Sequence, residues 1–172
     1  MSVLRCYSQK KTGFDVEAQG LLGALRDQLG IRGLESVVIL NRTVSKAEKI
    51  TISLKKYFPT LQATAMSMTL ENLCSCAPEA DLVVQCTSLG MSGHQGDYED
   101  LTFIDLLPKD ACVADVIFNP ERTSILARAE ARGLRVLNGM GMLVNQEKAM
   151  MKFHFGVDLG PEFALEGEET LL

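Results

Sequence analysis

The chain has 172 residues, 47% hydrophobic and 23% charged, with a net charge of −5, so it can bury a sizeable core as one domain, or as one domain with an appendage. An acidic balance without a basic patch excludes an electrostatic binder of nucleic acid. No window reaches the roughly 18 consecutive apolar residues of a membrane-spanning helix. No long apolar run follows Met1, and the five cysteines (Cys6, Cys74, Cys76, Cys86 and Cys112) are odd in number and scattered; the expectation is a cytoplasmic protein with reduced thiols. Cys74 and Cys76 form the one close pair, and His94 and His154 lie too far along the chain to complete a zinc set, so no metal is expected.

Taken in order, residues 1–33 read as an N-terminal remnant and linking helix. Leu21, Leu22, Ala24, Leu25 and Leu29 share one face of that helix. Residues 34–41 hold Val37-Val38-Ile39 and are too short for a buried helix, so they make a strand, with Arg42 and Thr43 at its tip and Lys46 one helical turn on. A helix follows over 44–58, with Ala47, Ile50, Leu54 and Tyr57 on one side and Pro59 as its stop. Leu61 to Met66 is the next strand candidate, and Leu70 to Cys74 a short helix broken by Pro78. Asp81 to Cys86 is a buried strand that ends in Thr87-Ser88-Leu89-Gly90-Met91, where Gly90 allows close backbone approach and two hydroxyls are on offer. Residues 92–99 read as a polar loop carrying a surface His94.

The most informative stretch comes last. Val113 to Phe118 reads as a strand closed by Asn119-Pro120, and Thr123 as the cap of a helix whose Ile125, Leu126 and Ala129 face a core and whose end needs Gly133. Arg135 to Asn138 then makes a short strand. Gly139-Met140-Gly141 turns directly into a helix whose first backbone N–H groups point at whatever lies above the strand ends. Met150, Met151 and Phe155 continue that helix, and residues 157–172 form an acidic tail. Alternation of strands and helices over 34–156 defines an α/β domain, with a mostly parallel sheet, flanking helices and ligands at the strand ends.

Asp115, Phe118, Pro120, Thr123, Leu126, Gly133, Gly139, Met142, Leu143 and Gln146 stand at spacings that resemble the C-terminal signature of the shikimate dehydrogenases. The loop Thr87 to Met91 resembles that family's Asn-Ala-Thr-x-x-Gly-Met, and Asn41-Arg42-Thr43 resembles its NADP-selecting tip. The resemblance implies a truncated Rossmann-like fold and an oxidoreductase interconverting 3-dehydroshikimate and shikimate in aromatic amino-acid biosynthesis. It implies that Asn41, Arg42, Thr43 and Lys46 hold the 2′-phosphate of NADP, and that Thr87, Ser88, Leu89, Gly90 and Met91 flank the ribose. Ile117, Phe118, Gly139, Gly141, Met142 and Leu143 would line the nicotinamide, and Phe118 and Gln146 would touch substrate. The absence of an acidic residue beside Arg42 points the same way, since a carboxylate there would favour NAD. Gly13 to Gly20 resembles the motif Gly-aromatic-Asn-Thr-Asp-x-x-Gly with Glu17 at the catalytic aspartate, one methylene longer.

Three departures shape the expectation. The family's substrate-gripping domain, with its catalytic lysine, has no counterpart in this sequence. The first strand of the nucleotide-binding sheet and its glycine-rich loop are missing between Gly33 and Glu35. Phe118 replaces a tyrosine. The sheet is therefore expected to have an uncovered edge through which a homodimer could form, and the chain alone is expected to be inactive. The alternative is a non-catalytic module that keeps the sheet for a nucleotide or a partner. Shikimate and quinate remain undistinguished as substrates.

Overall fold

The computed structural model describes residues 2–4, 34–160 and 163; Glu17 and the linking helix lie outside the described residues. The strands are β1 Ser2–Leu4, β2 Ser36–Asn41, β3 Gln62–Ser67, β4 Leu82–Gln85, β5 Cys112–Asp115 and β6 Arg135–Leu137. The helices are α1 Val44–Tyr57, α2 Leu70–Cys76, the single turn α3 Thr102–Asp105, α4 Ser124–Ala131 and α5 Met140–Phe155. All six strands form one parallel sheet in the order β3-β2-β1-β4-β5-β6.

Parallel sheets are covered on both faces, which is why their strands carry near-continuous apolar runs. Every residue of β4 and β5 is buried. Side chains alternate between faces. Val83 and Val113 join Phe103, Ile104, Leu107, Ile125, Leu126 and Ala129 on one side. Leu82, Val84, Cys112 and Ala114 join Leu137 on the other, where Met142 of α5 packs against them. A separate cluster of Val37, Ile39, Ala47, Leu61 and Ala63 fixes α1 to β2 and β3. All strand carboxyl ends consequently open on one edge of the domain.

The central position corrects the sequence reading. A strand does lie between β2 and β4: Ser2, Val3 and Leu4 pair with Ser36, Val37 and Val38 on one side, and Val3 and Leu4 with Leu82 and Val83 on the other. A segment from the N-terminal stretch fills a position that no residues between Gly33 and Glu35 could fill. The expected open edge is therefore absent at this point. The outer strands of the described sheet are β3 and β6.

Smaller differences have local causes. β5 stops at Asp115 instead of running to Phe118, because the Asp115 carboxylate accepts a hydrogen bond from Ile117 N at 2.9 Å and turns the chain. The Asn119–Pro120 bond downstream is cis. Thr123 sits at the start of α4, but its side chain does not cap it; the hydroxyl donates to Asp115 Oδ2 at 2.7 Å. α2 runs on to Cys76, and Pro78 lies in a following 3-10 turn, Ala77–Glu79, where a missing N–H costs little. The turn α3 was not expected; Asp100 Oδ1 accepts from Thr102 N at 2.7 Å and starts it. Gly133 has φ of +73° as its place after α4 requires, and Gly156, at +66°, ends α5. Among the described residues no helix is long and apolar enough to cross a membrane.

A proline at a central strand position removes a ladder hydrogen bond. Val3→Pro is expected to lower the unfolding free energy by at least about 1 kcal/mol, the lower range for a lost internal hydrogen bond. Urea titration with an unchanged midpoint would show that β1 does not hold the sheet together.

Candidate active site

Two loops leave the carboxyl ends of neighbouring strands and face each other across a cleft of about 410 Å³, within the usual range of small-molecule sites. The first follows β4 and contributes Thr87, Ser88, Met91 and Ser92; the second follows β5 and contributes Val116, Ile117, Phe118 and Asn119. One wall carries hydroxyls and the other is largely apolar. Ser92 N donates to Asn119 O at 3.0 Å and joins the two at their far end.

The first loop is braced from within and from outside. Gly90 adopts φ of +82°, which a residue with a Cβ rarely takes, and its N–H donates to Gly96 O at 3.0 Å. Leu89 N donates to the Thr87 hydroxyl at 3.2 Å, and the Tyr98 phenol stands beside that same hydroxyl. The Thr87 hydroxyl is thus engaged by the loop itself. Ser88 and Ser92 are the exposed hydroxyls of this wall. Burial, aided by the nearby Asp115 carboxylate, pushes the Tyr98 phenol above its ordinary value, so it remains neutral. Asp97 Oδ1 accepts from Ser124 Oγ at 2.7 Å and ties the outer segment to α4.

The second loop is held by the start of α5. Gly139 N donates to Ile117 O at 2.9 Å, and Met140 N to Asn138 Oδ1 at 3.0 Å. A Cβ at Gly139 would stand 2.1 Å from Val116 O and 2.7 Å from the Ile117 carbonyl carbon. Glycine is needed here for space, since its φ is an ordinary −73°. After these two bonds, the N–H groups of Gly141 and Met142 are what the helix start can present to a ligand. Beneath the loops lies Asp115, 1% exposed. Burial raises its pKa, while donors from Ile117, Thr123 and Gln85 offset part of that cost.

Asn41, Arg42, Thr43 and Lys46 stand at the end of β2 on the same carboxyl edge. Asn41 Oδ1 accepts from Thr43 N at 2.8 Å and shapes the tip, while Thr43 starts α1 without a side-chain cap. Arg42 and Lys46 are exposed. Phe118 is 45% exposed and forms part of the cleft wall, and Leu143 and Gln146 are half-buried on α5. His94 is exposed. The sequence reading missed Ser92, Val116 and Asn119 as lining residues, and Gln85, Asp97 and Tyr98 as supports. A lone tyrosine in a polar loop was the available signal. Among the described residues no group of three or more His, Cys, Asp or Glu side chains converges as for a metal ion.

The strand order, with its reversal between β1 and β4 and a cleft at the strand carboxyl ends, defines a doubly wound protein of Rossmann type. No family model matches the chain. It is 34% identical over 146 residues to a shikimate dehydrogenase (NADP+) of Alkaliphilus metalliredigens, covering 85% of this chain and 51% of that protein. It is 38% identical over 141 residues to the enzyme of the same name from Gluconobacter oxydans, covering 82% and 46%. A solved shikimate dehydrogenase in complex with NADP+ superposes with a TM-score of 0.69 at 22% identity, over 83% of this chain and 56% of that one. A ligand-free 5-ketofructose reductase of Gluconobacter sp. strain CHM43 superposes with a TM-score of 0.61 at 29% identity, over 92% and 51%. The chain belongs to the shikimate dehydrogenase family and matches its C-terminal, Rossmann-like part. It spans about half the length of the curated relatives it matches.

Gly139→Ala is expected to cost about 1–3 kcal/mol, the usual range for overpacking, because the new methyl meets backbone atoms and not a flexible side chain. Chemical denaturation measures it; a loss below a few tenths of a kcal/mol would mean that the α5 start can move away from Val116 freely.

Proposed function

We propose that this chain is the dinucleotide-binding part of an NADP-dependent oxidoreductase of the shikimate dehydrogenase type. The observation that carries this reading is the shared edge: the Asn41-Arg42-Thr43 tip and the cleft between the Thr87 and Ile117 loops open on the same side of the sheet. An exposed arginine fork at the end of β2, with no acid beside it at the tip, suits a 2′-phosphate and disfavours the free 2′-hydroxyl of NAD. When bound, NADP supplies a hydride acceptor and donor. The residues of this chain bind, orient and exclude water. Arg42 and Lys46 take the phosphate, Ser88 and the 87–91 backbone flank the ribose, and Ile117, Phe118 and the Gly139–Leu143 segment form an apolar wall against the nicotinamide. Gln146 reaches toward substrate, and Glu17 is the proposed acid/base residue at the alcohol.

The relatives named above are, by name, dehydrogenases of shikimate and a reductase of 5-ketofructose, and 3-dehydroshikimate with shikimate is the proposed pair here. The absence of glycine in Arg5-Cys6-Tyr7-Ser8-Gln9-Lys10-Lys11, the sequence after β1, favours weak binding. Pyrophosphate normally sits on a glycine-rich turn at this point. That observation supports the second reading, a binding module without turnover of its own.

Titration calorimetry is expected to find NADP bound more tightly than NAD, with Arg42→Ala erasing most of the difference; equal binding of both by the unaltered chain would sink the cofactor assignment. In an assay of nicotinamide reduction with excess shikimate, the chain alone is expected to give no turnover, since proximity of the reactants supplies about 7–11 kcal/mol of barrier reduction and a substrate-gripping half is needed to create it. Turnover that vanishes in Glu17→Ala would overturn this and establish Glu17 as a working acid/base group.

A further inference from the structure

We infer that Gln85 and Asp115 are positioning residues that lock the two walls of the cleft to each other, so that the shape of the site is set by a pair of side chains that line neither outer wall. The affinity readout of this inference rests on the dinucleotide reading above; its structural readout does not.

Gln85 and Asp115 are direct register partners at the last positions of β4 and β5, and both are buried, at 3% and 1% exposure. The Gln85 amide is used on both sides. Its Oε1 accepts from Thr87 N, its Nε2 donates to Leu89 O at 3.1 Å, and the amide lies against the Asp115 carboxylate and favours its charged form. Asp115 in turn accepts from Ile117 N at 2.9 Å and from the Thr123 hydroxyl at 2.7 Å. Val116 N donates to Gln85 O at 3.0 Å, a second link between the strand ends. Hydrogen bonds at either end and the Gln85–Asp115 contact between them therefore form a chain that connects Leu89 on the first loop to Ile117 on the second. Thr123, at its far end, lies 3.6 Å from where a Cβ on Gly90 would stand, so the chain closes back under the first loop.

The charge balance makes this link sensitive. The ionisable groups near Asp115 are Asp97 and Tyr98, with Cys86 close to Tyr98, and none of them is a cation. N–H and O–H donors alone hold the carboxylate, and a buried network that loses one member leaves the others unsatisfied. Among the groups against the carboxylate, Gln85 is the one that comes from the opposite loop's strand. Replacing it changes both walls at once, which a residue supporting one loop cannot do.

Gln85→Glu separates the two cases. It keeps the shape and the acceptor for Thr87 N, removes the donor to Leu89 O, and sets a second carboxylate against Asp115. Two carboxyl groups at such a distance hold a shared proton as pH falls. That proton restores a donor. Amide exchange of the ligand-free variant is expected to give reduced protection factors at Thr87, Leu89 and Ile117 at alkaline pH, recovering together toward unaltered values as pH is lowered, while the unaltered protein changes little. NADPH titration by fluorescence is expected to follow the same profile, with about tenfold weaker binding at alkaline pH. Loss of protection confined to Thr87 and Leu89, or a loss independent of pH, would overturn the inference. If Gln85→Glu does not fold, Thr123→Val, which keeps the shape but removes the hydroxyl, is expected to lower protection at Leu89, a residue it does not touch; an unchanged Leu89 overturns the inference. Failure of the unaltered chain to bind NADPH would count against the cofactor reading alone, because the exchange result decides the coupling without ligand.

Discussion

Between β2 and β4 there is room for one strand, and the rows of N–H and C=O groups on both sides of that gap must be satisfied. An unpaired backbone group in a buried sheet loses its water without gaining a partner, so a gap in the middle of a parallel sheet is not tolerated. Ser2–Leu4 meets this constraint with three residues. Once the gap is closed, β2 with its Asn41-Arg42-Thr43 tip and β4 with its Thr87–Met91 loop belong to one sheet, and their carboxyl ends share one edge. Without that strand the proposed phosphate contact and the cleft would be parts of separate pieces.

The cleft depends on a second close fit. Gly139 brings the start of α5 against the backbone of Val116 and Ile117, and the resulting Gly139 N to Ile117 O bond fixes how far the apolar wall stands from the helix. Asp115 fixes the same wall from below. Its carboxylate lies at the bottom of the site, paired with neutral donors, and organises backbone instead of doing chemistry at the surface. Side chains facing the cleft are thereby left free to differ. Phe118 offers a ring without a hydroxyl, and the hydroxyls that remain come from the opposite wall.

Membership of the shikimate dehydrogenase family and a match to about half of its members' length have a joint physical meaning. A Rossmann-type half can recognise a dinucleotide by itself, because its contacts all come from the strand ends of one sheet. Hydride transfer needs a second surface that holds the alcohol or carbonyl at the nicotinamide. In the function proposed above, the described residues supply the first of these surfaces. The proposed acid/base residue, Glu17, belongs to a stretch of sequence outside them.

Most of the described sheet and its helices were legible in the sequence, because buried parallel strands such as Leu82-Val-Val-Gln85 leave unbroken apolar runs and Pro59 and Gly133 punctuate helices by their own backbone preferences. The site loops were legible too, through Gly90 and Gly139. What sequence could not decide was everything that depends on contacts between distant residues. A three-residue strand at Ser2–Leu4 has too little pattern to announce itself, and only the vacancy between β2 and β4 selects it. Thr123 and Thr87 look like helix caps or ligand hydroxyls in one dimension; in three, each already has a partner, Asp115 for the first and Leu89 N for the second. Local preference is written residue by residue along the chain, whereas the partner of a buried polar group is set by which strand lies beside it.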